Sequence, residues 1–317
     1  MTDTQNEVFK TPVNKIRLFE HGAPGSQNLK LTRKYYTEDM PDGRVKHIVQ
    51  NITDPDIVPY IPDGIGNSTD RQRIPAVLII PGGAFRRLVY NFEGEDVAKW
   101  LNSMGIAAFV LECRLPSDEH DNAEDVPLID AMRAMRVIRG GAQEFGIDEA
   151  KIGVMGFSAG GFMAALLSTA YESDVYADYK YKDEYDKLSA RPDFAVCSYP
   201  VISIDDCIEA GKRYMSEEQV LERISGGKAK ILHKYNPDKL VRPDMPPVFI
   251  CETDDDRTTL SENSVGFYMA ARKAGVSAEL HIFRTGGHGY GCGDDFAQTG
   301  EWKVLFTKWI KSIGIIS

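Results

Sequence analysis

No stretch of this sequence is apolar for long enough to cross a bilayer. The N-terminus, MTDTQNEVFK, is polar and lacks the apolar segment of a secretory signal. Cysteine is scarce, with 5 in 317 residues. Cys113, Cys197, Cys207, Cys251 and Cys292 are odd in number, widely spaced and without a C-x-x-C pair. Three of them (Cys113, Cys197 and Cys251) sit in apolar runs, so they read as buried free thiols. Positive charge is also short: 37 Lys and Arg face 47 Asp and Glu, for a net charge of −10. That disfavours nucleic acid and anionic membranes as partners, because phosphate binding needs clustered cations. Together these shortages predict a protein of a reducing compartment, expected to be cytoplasmic, and they leave homo-oligomerisation open.

What is present is material for one large core. With 43% apolar residues, 317 residues are within reach of a single α/β domain spanning 1–317. The first 75 residues read as irregular, punctuated by turn signals at 22–24, 41–43 and 59–66, with one alternating strand at 45–52. From residue 76 the pattern turns regular. Strands are predicted at 76–80, 106–111, 151–155, 194–201, 247–252 and 278–283. Helices are predicted at 94–104, 127–145, 159–171, 261–274 and 296–313, the last with Trp302, Leu305 and Trp309 at helical spacing. Such alternation predicts a mostly parallel central sheet covered by helices on both faces, with ligands bound beyond the carboxyl ends of its strands. Two polar segments, 173–188 and 203–235, interrupt it. Both are long enough to lie over a site as a small cap or to be plain surface excursions.

Gly156-Phe157-Ser158-Ala159-Gly160 is a G-x-S-x-G pentapeptide between a five-residue apolar strand and a helix of small residues. A serine in so tight a strand-to-helix turn tolerates only small flanking groups, hence Gly156 and Gly160 at the elbow. The turn also sets Ser158 at a helix N-terminus, where free N–H groups favour negative charge. The plain alternative is a tight turn with an incidental serine. Upstream, Pro81-Gly82-Gly83-Ala84-Phe85 ends a strand. A Gly-rich loop there can turn backbone N–H groups toward a tetrahedral oxyanion, with Gly83, Ala84 and Ala159 as the candidate donors.

A base and an orienting acid should follow the serine in that order. His288, in Gly286-Gly287-His288-Gly289, follows a strand and has glycines on both sides. His21, His47 and His120 precede the elbow, His233 lies in a polar insertion, and His281 is inside a strand. The acid should follow the preceding strand, where Asp254, Asp255 and Asp256 are adjacent. Asp256 is the first choice and Asp255 the alternative. These residues predict acyl transfer: His288 removes the proton of Ser158, the aspartate fixes the imidazole, and no metal or organic cofactor is needed. Phe85, Phe157 and Tyr290, with Arg86, Arg87 and Tyr90, are candidates to line the substrate pocket.

Assembled in this way, the chain resembles the α/β-hydrolase esterases related to hormone-sensitive lipase, and within them the bacterial acetyl-esterase or acetyl-xylan-esterase branch. The likeness runs through Gly22-Ala23-Pro24-Gly25, Asn51-Ile52-Thr53-Asp54-Pro55, the loop 81–85, Asp130-Ala131 with Arg133-Ala134 and Arg136, Ser198-Tyr199-Pro200-Val201-Ile202, and 286–289. The resemblance implies an α/β-hydrolase fold. It implies a triad of Ser158, an aspartate of 254–256 and His288, and hydrolysis of short acyl esters, often acetyl groups on sugars. Asp256 keeps the family spacing to Glu262-Asn263-Ser264. Two positions depart: Ala84 stands for a glycine, and Thr259-Leu260 stands where Val-Pro is usual. A serine peptidase of the prolyl-oligopeptidase kind shares the triad order, but some 75 leading residues are too few for its propeller. A non-catalytic binding protein on the same fold is the remaining alternative.

Overall fold

The computed structural model describes residue 9 and residues 13–65, 73–225, 230–293 and 297–317. Gly66, Phe296 and residues 226–229, which figure in the sequence expectations, lie outside the described residues.

The strands are β1 (Ile16–Arg17), β2 (Lys34–Asp39), β3 (Val45–Gln50), β4 (Asp56–Tyr60), β5 (Ile74–Ile80), β6 (Leu88–Val89), β7 (Ala107–Glu112), β8 (Ile147–Phe157), β9 (Ala195–Ser198), β10 (Val248–Thr253) and β11 (Ala278–Phe283). Among the described residues the main sheet runs β1-β4-β7-β5-β8-β9-β10-β11. From β7 to β11 every pairing is parallel, and β4 and β1 add antiparallel to one edge. The central strands β5, β7 and β10 are buried nearly end to end. This is why they read as continuous apolar runs and not as alternating ones.

The helices are α1 (Asp96–Ser103), α2 (Val126–Gly140), α3 (Ala142–Phe145), α4 (Ala159–Ala170), α5 (Ile204–Gly211), α6 (Glu217–Ser225), α7 (Lys230–Lys234), α8 (Ser261–Lys273) and α9 (Ala297–Ser312). They form two layers. In one, α1 meets α9 through Trp100, Trp302 and Phe306. In the other, α2 packs on α4. The helix expected over 127–145 breaks at Gly140-Gly141, where a Cβ on Gly140 would run into the ring of Tyr185. The helix expected over 94–104 opens with one wide turn, Asn91–Glu95, before α1.

The reading of residues 1–75 as irregular is corrected. The segment contributes β1 and β4 to the main sheet. Its β2 and β3 form a second sheet with β6, in the order β2-β3-β6. Two features hid this in the sequence. The residues of β2, KYYTED, are polar and do not alternate. Pro59 interrupts β4, and β4 tolerates it because β1 pairs only with Asp56 and Ile57, so no neighbour on that side needs the missing N–H.

The cap expectation divides. Segment 173–188 packs on α2: Arg133 donates to Asp183 Oδ1 at 2.7 Å, and the Tyr179 hydroxyl donates to the carbonyl of Gly22 at 2.8 Å. It covers a helix, not a cleft, because buried Arg133 needs carboxylate partners there. The other segment, 203–235, supplies α5, α6 and α7, and α6 does reach the site.

Candidate active site

The sheet register brings the candidate residues together. Ile80 pairs with Gly156, Phe157 with Ser198, and Thr253 with Phe283. Five strand ends therefore lie side by side, and the loops carrying residues 81–85, Ser158, 254–259 and 285–291 leave from one edge.

Ser158 sits between β8 and α4 with φ 55° and ψ −118°, a strained backbone for a residue with a Cβ. Its N–H donates to the carbonyl of Ser198 at 3.0 Å, and its carbonyl accepts from Phe162 at 3.1 Å and from Val201 at 3.3 Å. Both elbow glycines are sterically required. A Cβ on Gly156 would strike the carbonyl of Gly160, and one on Gly160 would strike the carbonyl of Ile80.

His288 Nε2 lies 2.8 Å from Ser158 Oγ, and Nδ1 lies 2.6 Å from Asp256 Oδ2. An ionised carboxylate only accepts, so Nδ1 carries the hydrogen and Nε2 is left to accept from the serine hydroxyl. Asp256 is fully buried. Its Oδ1 accepts from the N–H groups of Thr258 at 2.6 Å and Thr259 at 3.1 Å, and its Oδ2 also accepts from the Thr259 hydroxyl at 2.9 Å. Asp255 points elsewhere, accepting from the N–H groups of Gly286 at 2.9 Å and Gly287 at 2.8 Å, and so braces the loop that carries His288.

Burial alone would raise the Asp256 pKa, but the charge and hydrogen bond of His288 and the two backbone N–H groups outweigh it and hold it at about 2. Burial alone would lower that of His288. The charge and hydrogen bond of Asp256, with the charge of Glu93, raise it above the ordinary histidine value, while Lys46 opposes them. Beside the pair, buried Glu252 is pushed far above the carboxylate range by burial and by the charge of Asp256.

In the loop after β5, Gly83, Ala84 and Phe85 have φ of 140°, 54° and 58°. A Cβ on Gly82 would come within 2.5 Å of the Phe157 carbonyl and 2.9 Å of the Ser158 Cβ, so this loop presses directly on the elbow. Glu93 anchors it from behind. Its Oε2 accepts from the Gly82 N–H at 2.8 Å, and its Oε1 accepts from the Tyr199 hydroxyl at 3.0 Å. The same hydroxyl accepts from the Gly291 N–H at 3.0 Å. One buried carboxylate thus ties the loop 81–85 to the loop of His288. Burial raises the Glu93 pKa. The sequence reading missed the roles of Glu93, which carries no local motif, and of Tyr199, whose segment 198–202 gives no sign of which atoms its hydroxyl meets. It also missed Thr259, which its departure from the family pattern could have flagged.

A cleft of about 350 Å³ opens over Ser158 and His288. Arg86, Arg87 and Tyr290, three of the expected pocket residues, line it beside Gly83 and Ala84, joined by Met40, Arg44 and Lys46 from the β2–β3 hairpin and by Arg223 from α6. Ala159 is buried beside Ser158 at the start of α4 and borders a smaller apolar cavity behind the loop.

Three pocket expectations are corrected. Phe85 turns inward and stacks edge-on against Phe162 at 5.6 Å. Phe157 is buried against Tyr199 and Trp302, at 5.8 Å and 6.4 Å. Both rings are buried in the core. Tyr90 is likewise buried, its hydroxyl 3.1 Å from that of Tyr60. Among the described residues no group of three or more His, Cys, Asp or Glu is placed to hold a metal.

Comparison with known proteins fits this geometry. The sequence model of the BD-FAE family matches residues 65–270. An acetylxylan esterase of Xylanibacter ruminicola is 31% identical over 240 residues, 75% of this chain and 45% of that protein. Endo-1,4-beta-xylanase B of Butyrivibrio fibrisolvens is 31% identical over 227 residues, 71% of this chain and 34% of that protein. The chain therefore spans less than half the length of either relative. The crystal structure of an acetyl ester-xyloside bifunctional hydrolase from Caldicellulosiruptor lactoaceticus is 34% identical, with a TM-score of 0.69 over 96% of this chain and 97% of that one. A carboxylesterase from Lactobacillus plantarum, 20% identical, shares the fold with a TM-score of 0.67 over 90% of this chain and 99% of that one. On the match over residues 65–270, carried on the α/β-hydrolase fold of these neighbours, the chain belongs to the BD-FAE family.

Proposed function

We propose that the chain is a single-domain serine carboxylesterase that removes short acyl groups, above all acetyl, from sugar hydroxyls. The observation that carries this reading is the continuous line from Ser158 Oγ through His288 to Asp256, with contacts of 2.8 Å and 2.6 Å. Ser158 Oγ attacks the ester carbonyl as Nε2 takes its proton, and Asp256 stabilises the imidazolium. The N–H groups of Gly83, Ala84 and Ala159 receive the developing oxyanion, aided by the N-terminus of α4. Nε2–H then protonates the leaving alcohol. Water attacks the acyl-enzyme by the same route, releasing the carboxylic acid and restoring Ser158.

The substrate class rests on the relatives, one an acetylxylan esterase and one an acetyl ester-xyloside hydrolase. It also rests on the cleft, whose many charged walls suit a hydrated alcohol better than a lipid chain. The five cysteines are unpaired, which fits the cytoplasm. Recovery of the native protein from culture medium would overturn that placement.

The test is release of acetate from acetylated xylo-oligosaccharides and of 4-nitrophenol from its acetate, by wild type and by Ser158→Ala. Loss of about 10⁴-fold or more in the variant is expected. Equal rates would overturn the reading, as would efficient cleavage of dipeptide amides with poor ester turnover.

A further inference from the structure

The charge of the cleft runs against that of the chain. The sequence carries 47 acidic and 37 basic residues. Yet the walls over Ser158 and His288 hold Arg44, Lys46, Arg86, Arg87 and Arg223 against one carboxylate, Glu93. Glu93 is buried and committed to Gly82 and Tyr199. Three of the cations have carboxylate partners: Arg44 with Asp42 at 2.8 Å, Arg86 with Glu222 at 2.9 Å, and Arg87 with Glu38 at 2.5 Å. Two have none among the described residues. Arg223 donates one Nη1 bond, at 3.1 Å, to the carbonyl of Arg257. The side chain of Lys46, half-buried on β3, makes no hydrogen bond or ion pair among the described residues.

Two cations without an ion pair beside a serine nucleophile carry a cost, even though the charge of buried Glu93 acts on Lys46. A positive charge near His288 opposes formation of the imidazolium, and Lys46 is close enough to pull the His288 pKa down. An anionic group bound at Lys46 would cancel that opposition and supply the missing partner. Resting on the esterase reading above, we infer that Lys46 and Arg223 form an anion subsite, and that the preferred substrate is an acyl ester of an anionic sugar. The negative group, a uronate carboxylate or a sulfate, lies on the alcohol portion, which leaves, and not on the acyl group. Anion and cation meet in an open cleft, so each contact is screened and modest.

The experiment compares matched pairs: the acetylated methyl glycoside of a hexuronate against its methyl ester, and an acetylated, sulfated hexoside against its unsulfated form. At low salt, kcat/KM for at least one anionic partner should exceed that of its neutral counterpart about fivefold, the most that a screened charge contact gives. The ratio should collapse toward one at about 0.5 M salt, where screening acts over a few ångströms. Lys46→Gln and Arg223→Gln should each lower it, and Lys46→Arg should restore it. Ratios at or below one for both pairs, or ratios unmoved by the glutamine variants, would overturn the subsite. Binding of the same sugars to Ser158→Ala by calorimetry decides the matter independently of turnover. Absence of any ester hydrolysis would sink the esterase reading, whereas hydrolysis without charge preference in rate or binding would sink the subsite alone.

Discussion

Replacing Asp256 by Asn should inactivate the protein by reversing a hydrogen, and the structure dictates the direction. Asp256 Oδ1 accepts from two backbone N–H groups, those of Thr258 at 2.6 Å and Thr259 at 3.1 Å. In the asparagine the amide oxygen must stay on that side, because the amide nitrogen there would set donor against donor. The NH₂ group then faces His288 Nδ1 and donates to it. The imidazole is left with its hydrogen on Nε2, where it can no longer accept from Ser158 Oγ, 2.8 Å away. A wrong tautomer of this kind in a serine–histidine–aspartate site costs about 10⁴ in kcat, or about 5 kcal/mol of barrier. The shape of residue 256 is kept, so the protein should stay folded, which its thermal transition would verify. The assay is the rate of 4-nitrophenyl acetate hydrolysis under saturating substrate. The control is Asp255→Asn. Asp255 is exposed and serves only as acceptor for Gly286 and Gly287, a role an amide oxygen can fill, so activity should stay within a few-fold of wild type. An Asp256→Asn rate within tenfold of wild type, or an equal collapse in Asp255→Asn, would refute the reasoning.

Two further outcomes are expected. Because His288 must be neutral to accept the serine proton, and because Asp256 and Glu93 together overcome its burial and hold its pKa above the ordinary value, kcat/KM should fall as pH drops through a midpoint above about 6.5. An acid limb at or below that value, read from a kcat/KM profile, would contradict the pairing. Glu93→Ala should leave the Gly82 N–H and the Tyr199 hydroxyl buried without a common acceptor, at about 1–3 kcal/mol each. As a positioning residue for the loop 81–85, it should lower kcat by about 10–100-fold with little change in KM, since it touches no substrate. Glu93→Gln, which can offer oxygen to Gly82 and nitrogen to Tyr199, should recover most of the rate. A purely structural role would instead appear as a lowered denaturation midpoint with normal kcat.

The parts of the site that could be read from the sequence are those with a local steric cause. The turn at Ser158 forces Gly156 and Gly160 on its neighbours because backbone carbonyls crowd both positions. The loop of His288 takes left-handed φ at Gly287, 63°, and at Gly289, 81°, and so requires glycine. These requirements leave marks within five residues of the functional group, and the parallel strands leave marks as apolar runs. The orienting acid was less legible, since Asp255 and Asp256 both serve the loop of His288, the exposed one bracing its backbone and the buried one holding its imidazole. Phe85 and Phe157 were misjudged for a related reason. Adjacency in sequence to an exposed group says nothing of which way an aromatic ring turns, and in both cases burial in the core won. Lys46 and Glu93 were out of reach, because their importance comes from loops that meet through the order of the sheet.

That division follows from how the site is held. The Ser158 turn, the Asp256 carboxylate and the His288 loop are each fixed by backbone donors and acceptors: Ser198 and Phe162 for the first, Thr258 and Thr259 for the second, and Gly286 and Gly287 through Asp255 for the third. Such anchors survive change at most neighbouring side chains, provided that the glycines and an acceptor at position 255 stay. The backbone of the cleft walls is also held, but the side chains that face the cleft are not tied to the line from Ser158 to Asp256. Met40, Arg44 and Lys46 come from a hairpin of the small second sheet, and Arg223 comes from a short helix in an insertion. Substitution there alters what the cleft attracts while leaving the line from Ser158 to Asp256 undisturbed. A protein built in this way can keep its chemistry and exchange its alcohol specificity. The charge of those walls, opposite to that of the chain, is therefore where substitution would shift substrate preference while sparing the serine, histidine and aspartate.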